Sequence, residues 1–319
     1  MQVRKFRQED EQWWDNFVWQ ADNGTLFHTR RFLSYHPKDR FVDHSLIWQQ
    51  KHAVKAVLPA VAMEIDGERV LISHRGSSYG GIVYRDAGIR FAFDLISSLK
   101  DYASANGFAR IMITQAPLIY ATRYSNYLDF AMLEQGFRYR KREISSVLQL
   151  TPDIDDSMAL FKREARTATR KAQKLGVEIV KNSDYAGYYP ILSHNLRLRH
   201  EVSPTHTLAE LERLHQLFPE RIVLWSAYLN GEMIAGVVNF AVTDRVSLAF
   251  YISDNKEFQE YRPLNLLFYQ IFENCRAHGV RFYDFGIFTV NMRPNWGLGK
   301  FKESFGARGL FRDSFECLL

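Results

Sequence analysis

The sequence predicts an α/β protein of two tandem domains, each a mixed β-sheet flanked by helices, and three observations carry that prediction. The chain has 319 residues, too many for one ordinary core at roughly 150 residues per domain. Its composition is globular, with 46% apolar and 24% charged residues, which excludes the disordered, collagen-like and coiled-coil classes. An order of elements, hairpin then loop then helix then strand, also occurs twice.

The first hairpin is AVKAVLPAVAMEIDGERVL at 53–71, a strand, a turn at Asp66-Gly67 and a second strand; EMIAGVVNFAVTDRVSLAFYI at 232–252 repeats it with a turn near Asp244. After a polar loop, FDLISSLKDYASANGFARIMIT at 93–114 and NLLFYQIFENCRAHGVRFYDFGI at 265–287 carry apolar residues at helical spacing. Each then has a glycine suited to a helix C-terminus, Gly107 and Gly279, and a short apolar strand. Any two αβ units share this order, so the intervening segment matters. There TPDIDDSMALFKREARTATRKAQKL, 151–175, predicts a helix with acids at its start and bases at its end, as the helix dipole prefers. Gly176 stops it and VEIV at 177–180 predicts the next strand. The matching opening of the first half is EDEQWWDNFVWQA with LFHTRRFLSYH. The boundary is placed at Thr151-Pro152, giving an N-terminal domain at 1–150 and a C-terminal domain at 151–319. No Pro/Gly/Ser-rich linker separates the halves, so a cleft between them is the expected site.

A formal charge of +5, from 41 basic and 36 acidic residues, lacks the dense basic concentration of a duplex-DNA binder. It favours anionic partners: nucleotide sugars, coenzyme A, tRNA or an anionic membrane surface. Cys275 and Cys317 have neither metal-ligand nor redox spacing and read as reduced thiols. The N-terminus MQVRKFRQEDEQWWDNF has no apolar h-region, and no stretch approaches the roughly 18 apolar residues of a membrane span. A cytoplasmic protein is expected, with peripheral membrane contact left open.

Several segments carry chemistry. On the predicted basic helix, Phe161, Ala165, Ala168, Ala172 and Leu175 form an apolar stripe, and Arg163, Arg166, Arg170 and Lys174 a basic one. That basic face is either solvated or, because like charges at i,i+4 repel, neutralised by phosphates or acidic side chains. HRGSSYGG at 74–81 is either a backbone nest for an anion or a plain glycine-rich turn. His200, His206 and His215 lack zinc spacing, and Thr207 with Glu210 reads as a capping box. No metal site is expected. YDFGI lacks every other kinase signature, which sets a kinase aside, and neither a nucleophile elbow nor a Cys-His pair is recognisable. Asp284 in YDFGI either orients a neighbour or begins a turn. In NMRPNWGLGKFKESFGARG, Gly297, Gly299, Gly306 and Gly309 would permit close approach of a ligand around Phe301-Lys302.

With the doubled element order, RKAQKLGVEI at 170–179, YDFGI at 283–287 and FKESFGARG at 301–309 resemble the tandem-GNAT superfamily. That superfamily includes the Fem-type peptidoglycan-bridge aminoacyltransferases and the FemAB-like N-acetyltransferases of polysaccharide clusters. The resemblance covers nearly the whole chain, is more specific in the second half, and fits the short members without a coiled-coil arm. It implies two catalytic residues, Lys302 as oxyanion stabiliser and Phe301 positioning the donor. It also implies substrate-binding roles for Arg75, Tyr79, Arg199 and Tyr251, and for Arg170 on the basic helix in binding phosphate or tRNA. Where simple acetyl-CoA enzymes of this superfamily carry a glycine loop for the pyrophosphate, this chain has EYRPLN at 260–265.

The implied activity is N-acylation of an amine on a nucleotide-linked or lipid-linked sugar or cell-envelope precursor. The donor is an acyl thioester such as acetyl-CoA or, alternatively, an aminoacyl-tRNA. A non-catalytic glycan- or nucleotide-binding protein that keeps the fold is the reading from another class.

Overall fold

The computed structural model describes residues 1–51, 53–73, 75–200 and 204–319 and, for 198–200, the backbone alone. The chain forms two compact units, Met1–Glu143 with Phe311–Leu319, and Ile144–Leu310.

In the first unit the strand predicted from residue 53 is two strands, Ala53–Leu58 and Ala60–Ile65, which belong to different sheets. Pro59 divides them, since it has no N–H to offer a ladder. The first joins Gln2–Lys5, Leu46–Gln50 and Val83–Tyr84 in an antiparallel sheet. The second pairs with Glu68–Ser73 across the Asp66-Gly67 turn, where both residues have positive φ (54° and 77°) as a two-residue hairpin requires. Helix Ile89–Ala105 buries Leu95, Ile96, Leu99 and Ala103, and carries the chain back so that Arg110–Thr114 runs parallel to Glu68–Ser73.

The second unit repeats this on a larger scale. Ile222–Leu229, Glu232–Ala241 and Val246–Asp254 form an antiparallel meander with Glu178–Asn182 at one edge. Helix Pro263–Ala277 buries Leu266, Leu267, Phe268, Ile271 and Phe272, and returns the chain as Phe282–Ile287, parallel to Val246–Asp254. These parallel strands pair only from Val246–Phe282 to Leu248–Asp284. Beyond that point they part.

A second repeated block closes each half. Helix Tyr127–Glu134, Gly136 (φ 91°) and strand Arg138–Gln149 match helix Trp296–Ser304, Gly306 (φ 93°) and strand Arg308–Leu318. The far ends of these strands are exchanged: 145–149 pair with Phe282–Ile287, and 314–318 with Arg110–Thr114. The division expected at Thr151-Pro152 therefore falls inside a strand, at Glu143/Ile144, and 311–319 belong with the N-terminal unit. Chain order suggested two consecutive domains, but ladder pairing assigns the last strand across them.

The helix expected over 151–175 is shorter. A 3₁₀ turn, Ser157–Leu160, is capped by Asp156, whose Oδ1 accepts from the Met158 N–H at 2.7 Å, and the α-helix runs only over Arg163–Lys174. Pro152 and the turn-forming aspartates favour the loop, and Phe161 plugs the core instead of continuing a helical face. Gly176 ends the helix at φ 77°.

Candidate functional site

The strand Phe282–Ile287 is irregular at its centre. Its register against 145–149 slips between Asp284–Val147 and Ile287–Ser145, with Gly286 at φ 72°. Asp284 fixes this bulge: its Oδ1 accepts from the Gly286 N–H at 2.7 Å and from the Ser145 hydroxyl at 2.5 Å. Of the two readings of Asp284, both hold, since one carboxylate shapes a turn and orients a neighbour. The bulge also frees the carbonyls of Gly286 and Ile287, and Lys302 Nζ donates to both at 2.8 Å.

Lys302 reaches them from helix Trp296–Ser304, whose start is capped by Asn295 accepting from the Leu298 N–H at 3.0 Å. The side chain is only 2% exposed. Phe301 beside it is half-buried in an aromatic cluster, 5.1 Å from the Phe305 ring and 6.0 Å from Phe268. An ammonium has three N–H groups, and two carbonyls engage two of them. The third has no acceptor among the described residues.

Burial lowers the Lys302 pKa from 10.5 to about 8, with the Asp284 charge opposing the shift. The unfolded chain therefore binds a proton between these two values that the folded protein does not, and stability attributable to Lys302 rises with pH across that window. Compared with Lys302→Met, urea titrations of the wild type should gain up to about 3 kcal/mol between pH 8 and 10.5. A flat difference would show that the lysine is not desolvated.

Lys302 occupies a core position. Aligning Gly136 with Gly306 in the two closing blocks places Met132 where the second half has Lys302, and both are buried. An apolar side chain satisfies that position in the first unit.

A cavity of about 680 Å³ lies in the second unit against the basic helix, the start of Pro263–Ala277 and the end of Trp296–Ser304. Arg163, Thr167 and Lys171, spaced at i, i+4 and i+8, line one side together with Glu164, and Arg262, Asn265 and Ser304 the other, three cations against one carboxylate. Of the basic stripe expected here, Arg163 alone borders this cavity. Arg166, Arg170 and Lys174 do not, and Arg170 is exposed. The offset follows from Thr169, which is buried against Pro263–Ala277 with its hydroxyl donating to Ala165 O at 2.9 Å and lying 3.4 Å from Asn265 O. The expected stripe ran through Ala168, which instead lines the cavity; Ala165, Thr169 and Ala172 are the packed row.

Arg262 takes the left-handed conformation (φ 55°) as N-cap of Pro263–Ala277. Pro263 has no N–H and the Asn265 N–H is bonded to Arg262 O at 3.1 Å, so this helix start offers fewer backbone donors than a glycine loop would.

The remaining expected residues are dispersed. Tyr251 on Val246–Asp254 holds the segment before the Thr207 cap: its hydroxyl meets His206 Nδ1 at 2.9 Å and accepts the His206 N–H at 3.2 Å, and burial raises its pKa to about 12. Arg199 lies on helix Tyr185–His200, and its side chain is outside the described residues. Arg75 is exposed, its Nη1 3.8 Å from Met63 Sδ. Tyr79 is buried, edge-on to Phe27 with ring centroids 4.9 Å apart and 5.1 Å from Tyr120. The glycines of the Phe-Lys motif approach protein instead of open space: a Cβ on Gly299 would lie 3.0 Å from the Phe288 ring, on Gly306 2.5 Å from Leu160 O, and on Gly309 2.9 Å from Ile144. Sequence reasoning missed Arg262, Lys171, Ser145 and the carbonyls that hold Lys302. Only the i, i+4, i+8 spacing of Arg163, Thr167 and Lys171 was visible as a signal.

Residues 159–299 match the family model of the acetyltransferase (GNAT) domain. Among solved structures the chain is similar to FemX, with a TM-score of 0.77, 15% identity and coverage of 100% of this chain and 98% of that one. It is similar also to a tandem GNAT protein from the clavulanic acid biosynthesis pathway (TM-score 0.60, 13% identity, 99% and 98% covered). A third is L-PGS from Bacillus licheniformis (TM-score 0.61, 11% identity, 98% and 92% covered). No curated protein matches by sequence. The chain thus shares the fold of FemX and of a tandem GNAT protein, the fold its sequence resembles, and residues 159–299 match the GNAT-domain model.

Proposed function

We propose that the protein transfers an acyl group from a phosphate-bearing donor to an amine on a nucleotide-linked or lipid-linked sugar or cell-envelope precursor. The observation that carries this reading is the third, unengaged N–H of a buried Lys302 held on the bulge of Phe282–Ile287. The neutral amine attacks the acyl carbonyl carbon and the carbonyl electrons move onto oxygen, whose negative charge the third N–H of the Lys302 ammonium stabilises. The oxyanion then collapses, the bond to the donor's sulfur or oxygen breaks, and the amine's proton leaves with the departing group. Met132 at the matching position supports a chemical role, because packing alone is met there by an apolar side chain.

The cavity lined by Arg163, Lys171 and Arg262 is where the donor's phosphates would bind. An acyl thioester of coenzyme A is the leading donor. Aminoacyl-tRNA is the second reading, favoured by Arg262 standing in place of a glycine loop and by the similarity to FemX. Arg75, Tyr79, Arg199 and Tyr251 remain proposed substrate contacts, and Arg170, which lies off this cavity, a proposed contact for phosphate or tRNA outside it. A screen of acyl-CoAs and charged tRNAs against nucleotide sugars, read by mass spectrometry, tests the reaction. Ligand binding without product from any pair would favour the non-catalytic reading.

Arg262→Gly separates the cavity's charge from its fold. Removing left-handed strain should leave the melting temperature unchanged or slightly raised, while loss of one charged contact should raise the donor's KM about 10-fold or more. An unchanged KM would remove the phosphates from this cavity.

A further inference from the structure

Before the Phe-Lys helix the chain makes a short hairpin, Thr289–Val290 paired with Arg293–Pro294. Its turn, Asn291-Met292, has both residues left-handed, at φ 50° and 62°. Such a turn prefers glycine at its second position, and methionine there holds a bulky side chain at the tip against local preference. Val290 is 61% exposed, Met292 56% and Trp296, the first residue of the helix, 79%. At about 3.3 Å per residue, the three pairs from Phe288 and Asn295 to the turn span roughly 10 Å, so these side chains form one apolar projection.

Its base is firm. The Thr289 hydroxyl accepts from the Ile144 N–H at 3.0 Å, the Asn295 N–H donates to Phe288 O at 2.8 Å, and Gly299 packs against the Phe288 ring. The charges nearby in sequence have one sign: Arg293 and Lys300 are exposed, and no Asp or Glu occurs between Asp284 and Glu303.

We propose that this hairpin and Trp296 dock the protein on an anionic membrane surface, with Val290, Met292 and the indole entering the interface and Arg293 and Lys300 meeting lipid phosphates. An indole favours the headgroup boundary, and cations flanking apolar side chains bind anionic leaflets. A nucleic-acid strand would use the indole and the cations but would gain little from the aliphatic Val290 and Met292. The inference does not depend on the acyl-transfer reading.

The test is sedimentation of the full chain with vesicles of phosphatidylglycerol and phosphatidylcholine (3:7) and of phosphatidylcholine alone, in 0.1 M salt. Binding to the anionic vesicles is expected to fall about 10-fold or more in Trp296→Ala with Met292→Ser, and similarly in Arg293→Glu with Lys300→Glu. Lipids brominated along the acyl chain should quench wild-type tryptophan emission, a readout that stands even where a variant fails to fold. No sedimentation with anionic vesicles overturns the proposal, as does equal binding by a folded variant. Binding of a single-stranded RNA oligonucleotide that needs Trp296, without vesicle binding, also overturns it.

Discussion

Replacing Lys302 by alanine lowers acyl-transfer turnover by roughly two to three orders of magnitude, with acceptor affinity little changed, if the ammonium serves the oxyanion. The charge on the carbonyl oxygen is complete only during attack, so its loss raises the transition state more than the ground state. Lys302→Met tests the same point with the packing preserved, because Met132 fills the matching core position. It should be as slow as the alanine variant while melting at or above the wild-type temperature. Arginine should rescue only in part, since its planar fork does not reproduce a compact ammonium on two carbonyls. The wild-type rate should also fall as pH rises through about 8, where Lys302 loses its proton, and this limb should be absent in Lys302→Met. Unchanged turnover in the methionine variant would reduce Lys302 to a support for the bulge.

Gly306→Ala is expected to destabilise the protein by about 4 kcal/mol, the sum of a strained left-handed alanine and an overpacked contact. Gly306 sits at φ 93°, and an added Cβ would lie 2.5 Å from the Leu160 carbonyl oxygen, a backbone atom that a rotamer change cannot move. Gly136 is the control. Its φ is 91°, yet its Cβ would approach only the Lys100 ammonium, at 3.9 Å, so Gly136→Ala should show the conformational part alone, about 1 kcal/mol. Equal losses in thermal or urea melts would mean that the Leu160 contact contributes nothing.

The fold was largely legible because its repeats are written in local patterns. Asp66-Gly67, the alternation on either side of it, and the spacing that ends at Gly107 and Gly279 are decided within a few residues, and each matched an observed element. What failed needed distant partners. The exchange of 145–149 and 314–318 depends on which ladder each strand joins, and no local pattern encodes that choice. The basic helix was turned by one row because Thr169 satisfies its hydroxyl on Ala165 and so packs as a small core residue. At the site, Phe301 and Lys302 stood out as a motif, but the Lys302 environment is built from backbone carbonyls of residues sixteen and fifteen positions earlier. A carbonyl freed by a bulge has no residue type to reveal it, and Arg262 gained its place from a left-handed conformation that arginine rarely adopts.

The exchanged strands bear on how the chain matures during synthesis. Arg110–Thr114 is bonded on one side to Glu68–Ser73, and its other neighbour is 314–318, roughly two hundred residues later. The first unit therefore emerges from the ribosome with an open strand edge. At about 5–20 residues per second that edge waits on the order of 10 to 40 s for its partner. Arg110, at the start of this strand, carries a charge there and pairs with Glu68 of the neighbouring strand, a feature suited to discouraging premature pairing with other chains. Chains stalled within the second half would carry this exposed edge, and chaperone capture of nascent chains should be greatest there.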